Sequence, residues 1–129
     1  MLRLLTLIVA ILIAAVAADT RSAAAQNGVV TFKFTNSASY IIYMRMFSQD
    51  RSWAWPGGDR GYVLDDRNQH SFALQCVVGE KICYGGSYRG GDSQAYWGLG
   101  IEGTRGCTSC CLRCGTPVED IWSSWNLTD

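Results

Sequence analysis

The chain has 129 residues and a mass of 14.2 kDa, enough for one domain. Eleven Lys and Arg balance eleven Asp and Glu, so the sequence lacks the basic field that a binder of nucleic acid or of an anionic membrane needs. A disordered chain is also excluded, because 48% of the residues are hydrophobic and five Trp, six Tyr and four Phe supply apolar surface to bury.

The N-terminus has the three-part order of a secretory signal peptide. A positively charged residue comes first, an almost wholly apolar run over 4–18 follows, and small residues lead to Ala25. Such a run reaches only about 22 Å at about 1.5 Å per residue, whereas a hydrocarbon core is about 30 Å thick, so a membrane anchor is the weaker interpretation. We expect cleavage after Ala25, with a cut after Ala17 or Ala18 as the alternative. The mature domain would be 26–129, with no membrane span.

Export determines how the cysteines are interpreted, because thiols outside the cytosol meet an oxidising environment and pair. All six lie after the expected signal peptide: Cys76, Cys83, Cys107, Cys110, Cys111 and Cys114. The sequence alone does not select one complete pairing among the many possible. We therefore predict a disulfide-stabilised domain that is secreted or periplasmic.

The first half of the mature chain predicts β-structure. Apolar and polar residues alternate over 30–35, as in a strand with one buried face. In residues 39–47 both the odd and the even positions are apolar apart from Arg45. This strand is therefore expected at the centre of a sheet, covered on both sides. A short strand is expected over 62–64, and a glycine-interrupted strand near 94–101.

The clearest local prediction concerns residues 71–84. An alternating apolar run leads to Gly79-Glu80, which would make a hairpin as a two-residue type II′ loop. In that register Cys76 and Cys83 face each other at a distance that a disulfide can bridge. We therefore predict a disulfide between these two cysteines.

The C-terminal segment predicts one short helix. Thr116 and Glu119 have the spacing of a capping box, with Pro117 at the first helical position. The apolar residues that follow at helical spacing are Val118, Ile121, Trp122 and Trp125. The predicted fold is all-β, a small sandwich or partly open barrel of about six strands, with a disulfide-rich C-terminal extension and this helix. An irregular module dominated by disulfides is the alternative.

The cysteine-rich segment 107–114 has three interpretations. A structural disulfide knot is favoured over a zinc site, because zinc sites draw cysteine pairs from separated elements and Cys110 and Cys111 are adjacent. A thiol-redox protein is an alternative function, although its Cys-x-x-Cys motif works in an alternating βα context that this sequence lacks. The same crowding of Cys110 and Cys111 leads us to expect no metal. We also expect no cofactor, since the dinucleotide-like glycine pattern at 98–103 is followed by no helix start.

An enzyme that depends on histidine would have to use His70, the only histidine in the chain. A small hydrolase in which His70 acts with Asp65 or Asp66 is therefore a further alternative. No nucleophile elbow and no metal-binding helix motif accompanies these residues. We expect a surface or strand-end histidine and a protein without a catalytic site.

Trp53 and Trp55 give the best indication of function. They share one face if the segment is extended, and they precede the turn predicted at 56–59. Flat indoles bind a sugar ring or an apolar protein patch at little entropic cost, whereas the structural alternative is that they complete a small core. We predict a binding module whose partner is an extracellular or envelope protein or a carbohydrate.

Overall fold

The computed structural model describes residues 25–88, 91–93 and 95–129. The expected signal peptide, residues 1–25, lies outside these ranges apart from Ala25, so its cleavage stays a prediction. Within the described ranges the chain forms nine strands and no helix, and hence no helix that could cross a membrane.

The strands form two sheets, which confirms the predicted all-β class. The first sheet contains β1 (Asn27–Asn36), β5 (Gln69–Val77) and β9 (Trp122–Leu127), with β1 between the other two. The second contains β2 (Ile42–Ser48), β3 (Ala54–Trp55), β4 (Tyr62–Leu64), β6 (Lys81–Tyr88), β7 (Tyr96–Gly98) and β8 (Cys111–Arg113). β1 runs antiparallel to β5 and parallel to β9.

The core lies between the two sheets. Val30, Phe32 and Phe34 are buried along β1, and the intervening residues are partly exposed, as the predicted alternation requires. The ring of Phe34 meets Tyr84 of the second sheet edge to face, with centroids 4.9 Å apart. Each such side chain contributes about 1.5–3 kcal/mol when it is fully buried.

β2 is the central strand of the second sheet, as predicted. β3 and β4 pair with one of its edges and β6 pairs with the other. Met44 and Met46 are buried, while Phe47, on the opposite face, is partly buried beside the glycine-rich loop that contains Gly103. A Cβ at Gly103, which has a φ of +76°, would lie 2.9 Å from the Phe47 ring. One face of β2 is therefore buried and the other only partly covered, since Tyr43, Arg45 and Phe47 are all partly exposed.

The predicted hairpin over 71–84 is wrong, because β5 and β6 belong to different sheets. The N–H of Glu80 donates to the carbonyl of Val77 at 2.9 Å, and Gly79, in the third position of this turn, has a φ of +85°. That arrangement is a type II turn, whose twist splays the flanking strands where a type II′ turn would pair them. The chain therefore crosses from one sheet to the other at this turn.

The predicted disulfide between Cys76 and Cys83 is wrong for the same reason. The disulfides join Cys76 to Cys114, Cys83 to Cys111 and Cys107 to Cys110, and none of the cysteines is free. Cys83 and Cys111 lie directly opposite each other on β6 and β8. The C-terminal extension is thus covalently attached to both sheets. Three disulfides fit an oxidising compartment.

The predicted C-terminal helix is absent, and β9 occupies most of its place. Its start signal forms only a turn, in which the N–H of Thr116 donates to Oε1 of Glu119 at 3.0 Å. The strand is favoured because its alternation places Trp125 and Leu127 on the face that covers the core and Trp122 on the exposed face. Pairing with β1 also satisfies the backbone groups that a helix would otherwise have satisfied internally.

The disulfides should differ in their effect on stability. Replacing Cys76 and Cys114 by alanine should lower the free energy of unfolding by about 4 kcal/mol, because this bridge closes a loop with a sequence separation of 38. Replacing Cys107 and Cys110, at a separation of 3, should cost about 2 kcal/mol. Urea titration of both variants measures the difference, and equal losses would contradict the loop-closure argument.

Candidate functional site

An open cleft of about 610 Å³ lies at the end of β2, next to the loop that leads to β3. The residues that line this cleft, which we call the Trp53 cleft, include Arg45, Phe47, Arg51, Ser52, Trp53 and Asp59. Its volume is in the usual range for small-molecule sites. A second hollow of about 440 Å³, beside Gly28 and Pro117, has Arg51 as its only charged lining residue.

The cleft is built by the tight connection between β2 and β3. The N–H of Ser48 donates to the carbonyl of Trp53 at 2.9 Å, which closes the loop. The Ser48 hydroxyl oxygen accepts a hydrogen bond from the N–H of Arg51 at 3.1 Å. These bonds place the loop residues beside Phe47, the β2 residue that pairs with Ala54.

The structure gives the two predicted tryptophans different roles. Trp55 is only 7% exposed, and its indole N–H donates to the carbonyl of Gln75 at 3.1 Å, so it connects β3 to the first sheet. Trp53 is 46% exposed and packs edge to face on Trp55, with centroids 6.4 Å apart. Trp55 therefore supports the ring that Trp53 presents to solvent.

The exposed ring of Trp53 is held in place on several sides. A Cβ at Gly57, where φ is +118°, would lie 3.6 Å from the ring, so the turn at Gly57 runs close to the indole. The Arg51 guanidinium carbon lies 5.9 Å from the centre of the Trp53 ring and 5.6 Å from that of Trp55. An aromatic group ordered in advance loses little conformational freedom when a ligand binds.

Arg51 is oriented by Glu80, a buried carboxylate that is 5% exposed. Nε of Arg51 donates to Oε2 of Glu80 at 2.5 Å, and the hydroxyl of Ser48 donates to the same oxygen at 2.5 Å. The N–H of Val77 donates to Oε1 at 3.0 Å. Burial alone would raise the pKa of Glu80, but the hydrogen bonds from Arg51, Ser48 and Val77 and the Arg51 charge outweigh it and hold this pKa below its ordinary value.

Arg45 supplies a second cation to the cleft. Its Nη2 donates to the carbonyl of Gly58 at 2.5 Å, and its guanidinium carbon lies 5.3 Å from the centre of the Phe47 ring. Nε of Arg45 is buried without a hydrogen-bond partner, and no carboxylate in the described ranges forms an ion pair with it. As the single charge in an otherwise apolar strand, Arg45 carried a signal in the sequence, whereas nothing local marked Glu80.

His70 and Asp66 are brought together as the hydrolase alternative requires. His70 Nε2 and Asp66 Oδ1 are 2.7 Å apart. The hydrogen bond to His70 is the main reason why the pKa of Asp66 lies below its ordinary value, and the hydrogen bond from the N–H of Asn68 contributes as well. A carboxylate only accepts, so this hydrogen bond is made by a ring that carries a proton on Nε2. Asp65 and Asp66 line a hollow of about 190 Å³, but His70 does not. Among the described residues no hydroxyl is hydrogen-bonded to His70, so the pair has no side-chain nucleophile beside it.

Comparison with known proteins identifies no relative. No family model matches the chain, and neither a curated protein nor a solved structure matches it.

Glu80→Gln should lower the free energy of unfolding at neutral pH by about 1–2 kcal/mol. The loss stays small because Arg51 is half exposed and water screens its charge. A carboxylate whose pKa is lower in the folded state stabilises fully above its unfolded pKa of about 4.3, and this contribution disappears as the pH falls through the folded value.

Urea titrations from neutral pH down to about pH 3 test this dependence. The wild type should lose more stability below about pH 4.3 than Glu80→Gln does. Glu102→Gln, at an exposed position, is the matched control and should follow the wild type. Parallel pH profiles for the wild type and Glu80→Gln would contradict the assignment.

Proposed function

We propose that the protein is an exported binding module that holds a carbohydrate in the Trp53 cleft. The observation that carries the proposal is the exposed Trp53 ring, which is fixed from beneath by Trp55 at the edge of a cleft of ligand size. A sugar ring has an apolar C–H face that packs on a flat indole. The same face offers such a ligand a contact that requires little ordering.

The polar groups of the cleft suit the hydroxyl rim of a sugar. Arg45 and Arg51 supply N–H donors, and the carboxylate of Asp59 accepts. A sugar hydroxyl both donates and accepts, so it can use donors and acceptors that lie side by side. Nε of Arg45 is buried and has no partner in the described structure, so a shift of this side chain would bring an unused donor to a ligand.

A carbohydrate fits the surface better than a protein partner does. Stable protein interfaces bury about 800 Å² on each side, centred on clustered apolar residues. Within the described ranges the exposed large apolar residues are Tyr40, Ile41, Trp53, Val63, Tyr96, Val118 and Trp122. Of these only Trp53 lines the cleft, so the cleft is a small mixed site and not the centre of a broad apolar patch.

Secretion or transfer to the periplasm is part of the proposal. Three disulfides that involve all six cysteines support it, because such bridges persist in an oxidising compartment. The order of charge, apolar run and small residues at the N-terminus supports it independently.

Trp53→Ala should weaken carbohydrate binding by about tenfold or more, because truncating a central aromatic contact costs at least about 1.4 kcal/mol. The measurement is isothermal titration of the mature protein with neutral and acidic oligosaccharides, and the best ligand of that panel is then used for the variant. Intrinsic fluorescence gives a second readout, because a sugar stacked on Trp53 changes the environment of its indole.

Trp122→Ala is the matched control for this experiment. Trp122 is 49% exposed, close to the value for Trp53, but it lies on the first sheet, where Nζ of Lys33 is 4.0 Å from the centre of its ring. Its replacement should leave the affinity unchanged. Equal losses in the two variants, or no binding to any saccharide of the panel, would refute the carbohydrate site.

N-terminal sequencing of the exported protein should give Gln26 as the first residue, because small residues up to Ala25 fit the groove of a signal peptidase. Cytosolic and exported fractions should be compared by immunoblot, with thiol labelling of each. Recovery of the chain only from the cytosol, with Met1 retained and all thiols reduced, would contradict export.

A further inference from the structure

Four of the six cysteines form one cluster of two disulfides in contact. Cys110 and Cys111 are adjacent in sequence but belong to different bridges, to Cys107 and to Cys83 respectively. Their Sγ atoms are 3.7 Å apart, and the sulfur atoms of Cys83, Cys110 and Cys111 all lie within 4.8 Å of one another. No thiol is free, so these sulfurs offer no thiolate to a metal in this state.

From this cluster we infer a thiol–disulfide exchange site that takes an electron pair from an external dithiol at Cys107–Cys110 and passes it to Cys83–Cys111. The inference does not depend on the carbohydrate proposal, because it concerns the chemistry of the sulfur atoms alone. Its substrate class is a dithiol, because two thiols are needed to open the bridge and leave together as a disulfide.

Burial determines which sulfur of the first bridge is attacked. Cys107 is partly exposed, whereas Cys110 is only 2% exposed. Exchange proceeds by attack of a thiolate on a sulfur that it can reach, and the other sulfur leaves. An external thiolate therefore bonds to Cys107, and Cys110 departs as a thiolate inside the cluster.

Cys110 stays close to its next target after this bond opens, because its backbone is held independently. Its carbonyl accepts a hydrogen bond from the N–H of Tyr84 on β6 at 2.9 Å. The carbonyl of Ser109 accepts one from the indole N–H of Trp125 at 2.8 Å. A nucleophile anchored in contact with its target reacts as an intramolecular partner at high effective concentration.

The thiol–disulfide exchange takes place in three steps. One thiolate of the dithiol attacks Sγ of Cys107 and releases Cys110, and the second thiol then displaces Cys107, so the reagent leaves as a disulfide and the protein has gained two electrons and two protons. The Cys110 thiolate next attacks Sγ of Cys83, which forms Cys83–Cys110 and releases the Cys111 thiolate. Attack on Cys111 would instead close a small ring around a planar peptide bond.

The exchange moves the covalent attachment of β6 from Cys111 to its sequence neighbour. Cys111 is partly exposed, so the product presents two accessible thiols, at Cys107 and Cys111. The buried Cys76–Cys114 bridge lies outside the sulfur cluster and keeps the C-terminal extension attached to the first sheet.

Limited reduction of the full mature protein tests the inference. The protein is treated with about one molar equivalent of dithiothreitol, quenched with acid, alkylated and mapped by mass spectrometry. We expect alkylation of Cys107 and Cys111 together with a new Cys83–Cys110 peptide pair. Alkylation of Cys107 and Cys110 with Cys83–Cys111 retained would overturn it, and so would opening of Cys76–Cys114 first.

Cys107→Ser tests the transfer step without any reductant, because it leaves Cys110 unpaired beside Cys83–Cys111. The single free thiol should be divided between Cys110 and Cys111 when the folded protein is alkylated. A thiol found only on Cys110 would overturn the inference. Cys114→Ser is the matched control: it frees Cys76, whose sulfur lies outside the cluster, and the thiol should remain on Cys76.

Discussion

The attachment of one C-terminal segment to both sheets is the constraint on which the rest of the structure depends. Cys114 is bonded to Cys76 of the first sheet, and Cys111 to Cys83 of the second. Backbone bonds reinforce the same junction: the N–H of Gly79 donates to the carbonyl of Cys114, and the N–H of Cys114 donates to the carbonyl of Glu80, each at 2.8 Å. The crossing turn between the sheets is therefore fixed by its contact with the C-terminal extension.

The arrangement of side chains in the Trp53 cleft depends on that junction. The fixed turn contains Glu80, whose carboxylate accepts a hydrogen bond from the guanidinium of Arg51. The same guanidinium lies over the rings of Trp53 and Trp55. A buried carboxylate without partners would cost several kcal/mol, so the ion pair and its hydrogen bonds are needed for this turn to be stable. The exposed indole is thus connected, through two side chains, to the region that the disulfides hold together.

The parts of the fold set by local pattern were predictable from the sequence, and the parts set by distant contacts were not. The alternation of apolar and polar residues identified β1, and apolar residues at both odd and even positions identified β2. The bounds of β4 were those predicted. The turn at Gly79 was expected, but its type depends on where the strands on either side find partners, and β5 and β6 pair with β1 and β2 respectively. β9 resembled a helix because a short apolar segment fits both periods until its parallel partner is known.

The same distinction applies to the candidate site and to the cysteine cluster. Aromatic parity identified Trp53 and Trp55 but could not show that one of them bonds to Gln75 across the sheets. Phe47 joins the two regions, since it lines the cleft and lies directly opposite Cys83 on the paired strand. The Phe47 wall of the cleft is thus backed by a cross-linked strand, and a wall ordered in advance reduces the entropic cost of holding a ligand. Covalent cross-linking in a domain of this size therefore supports the proposed binding surface as well as the stability of the fold.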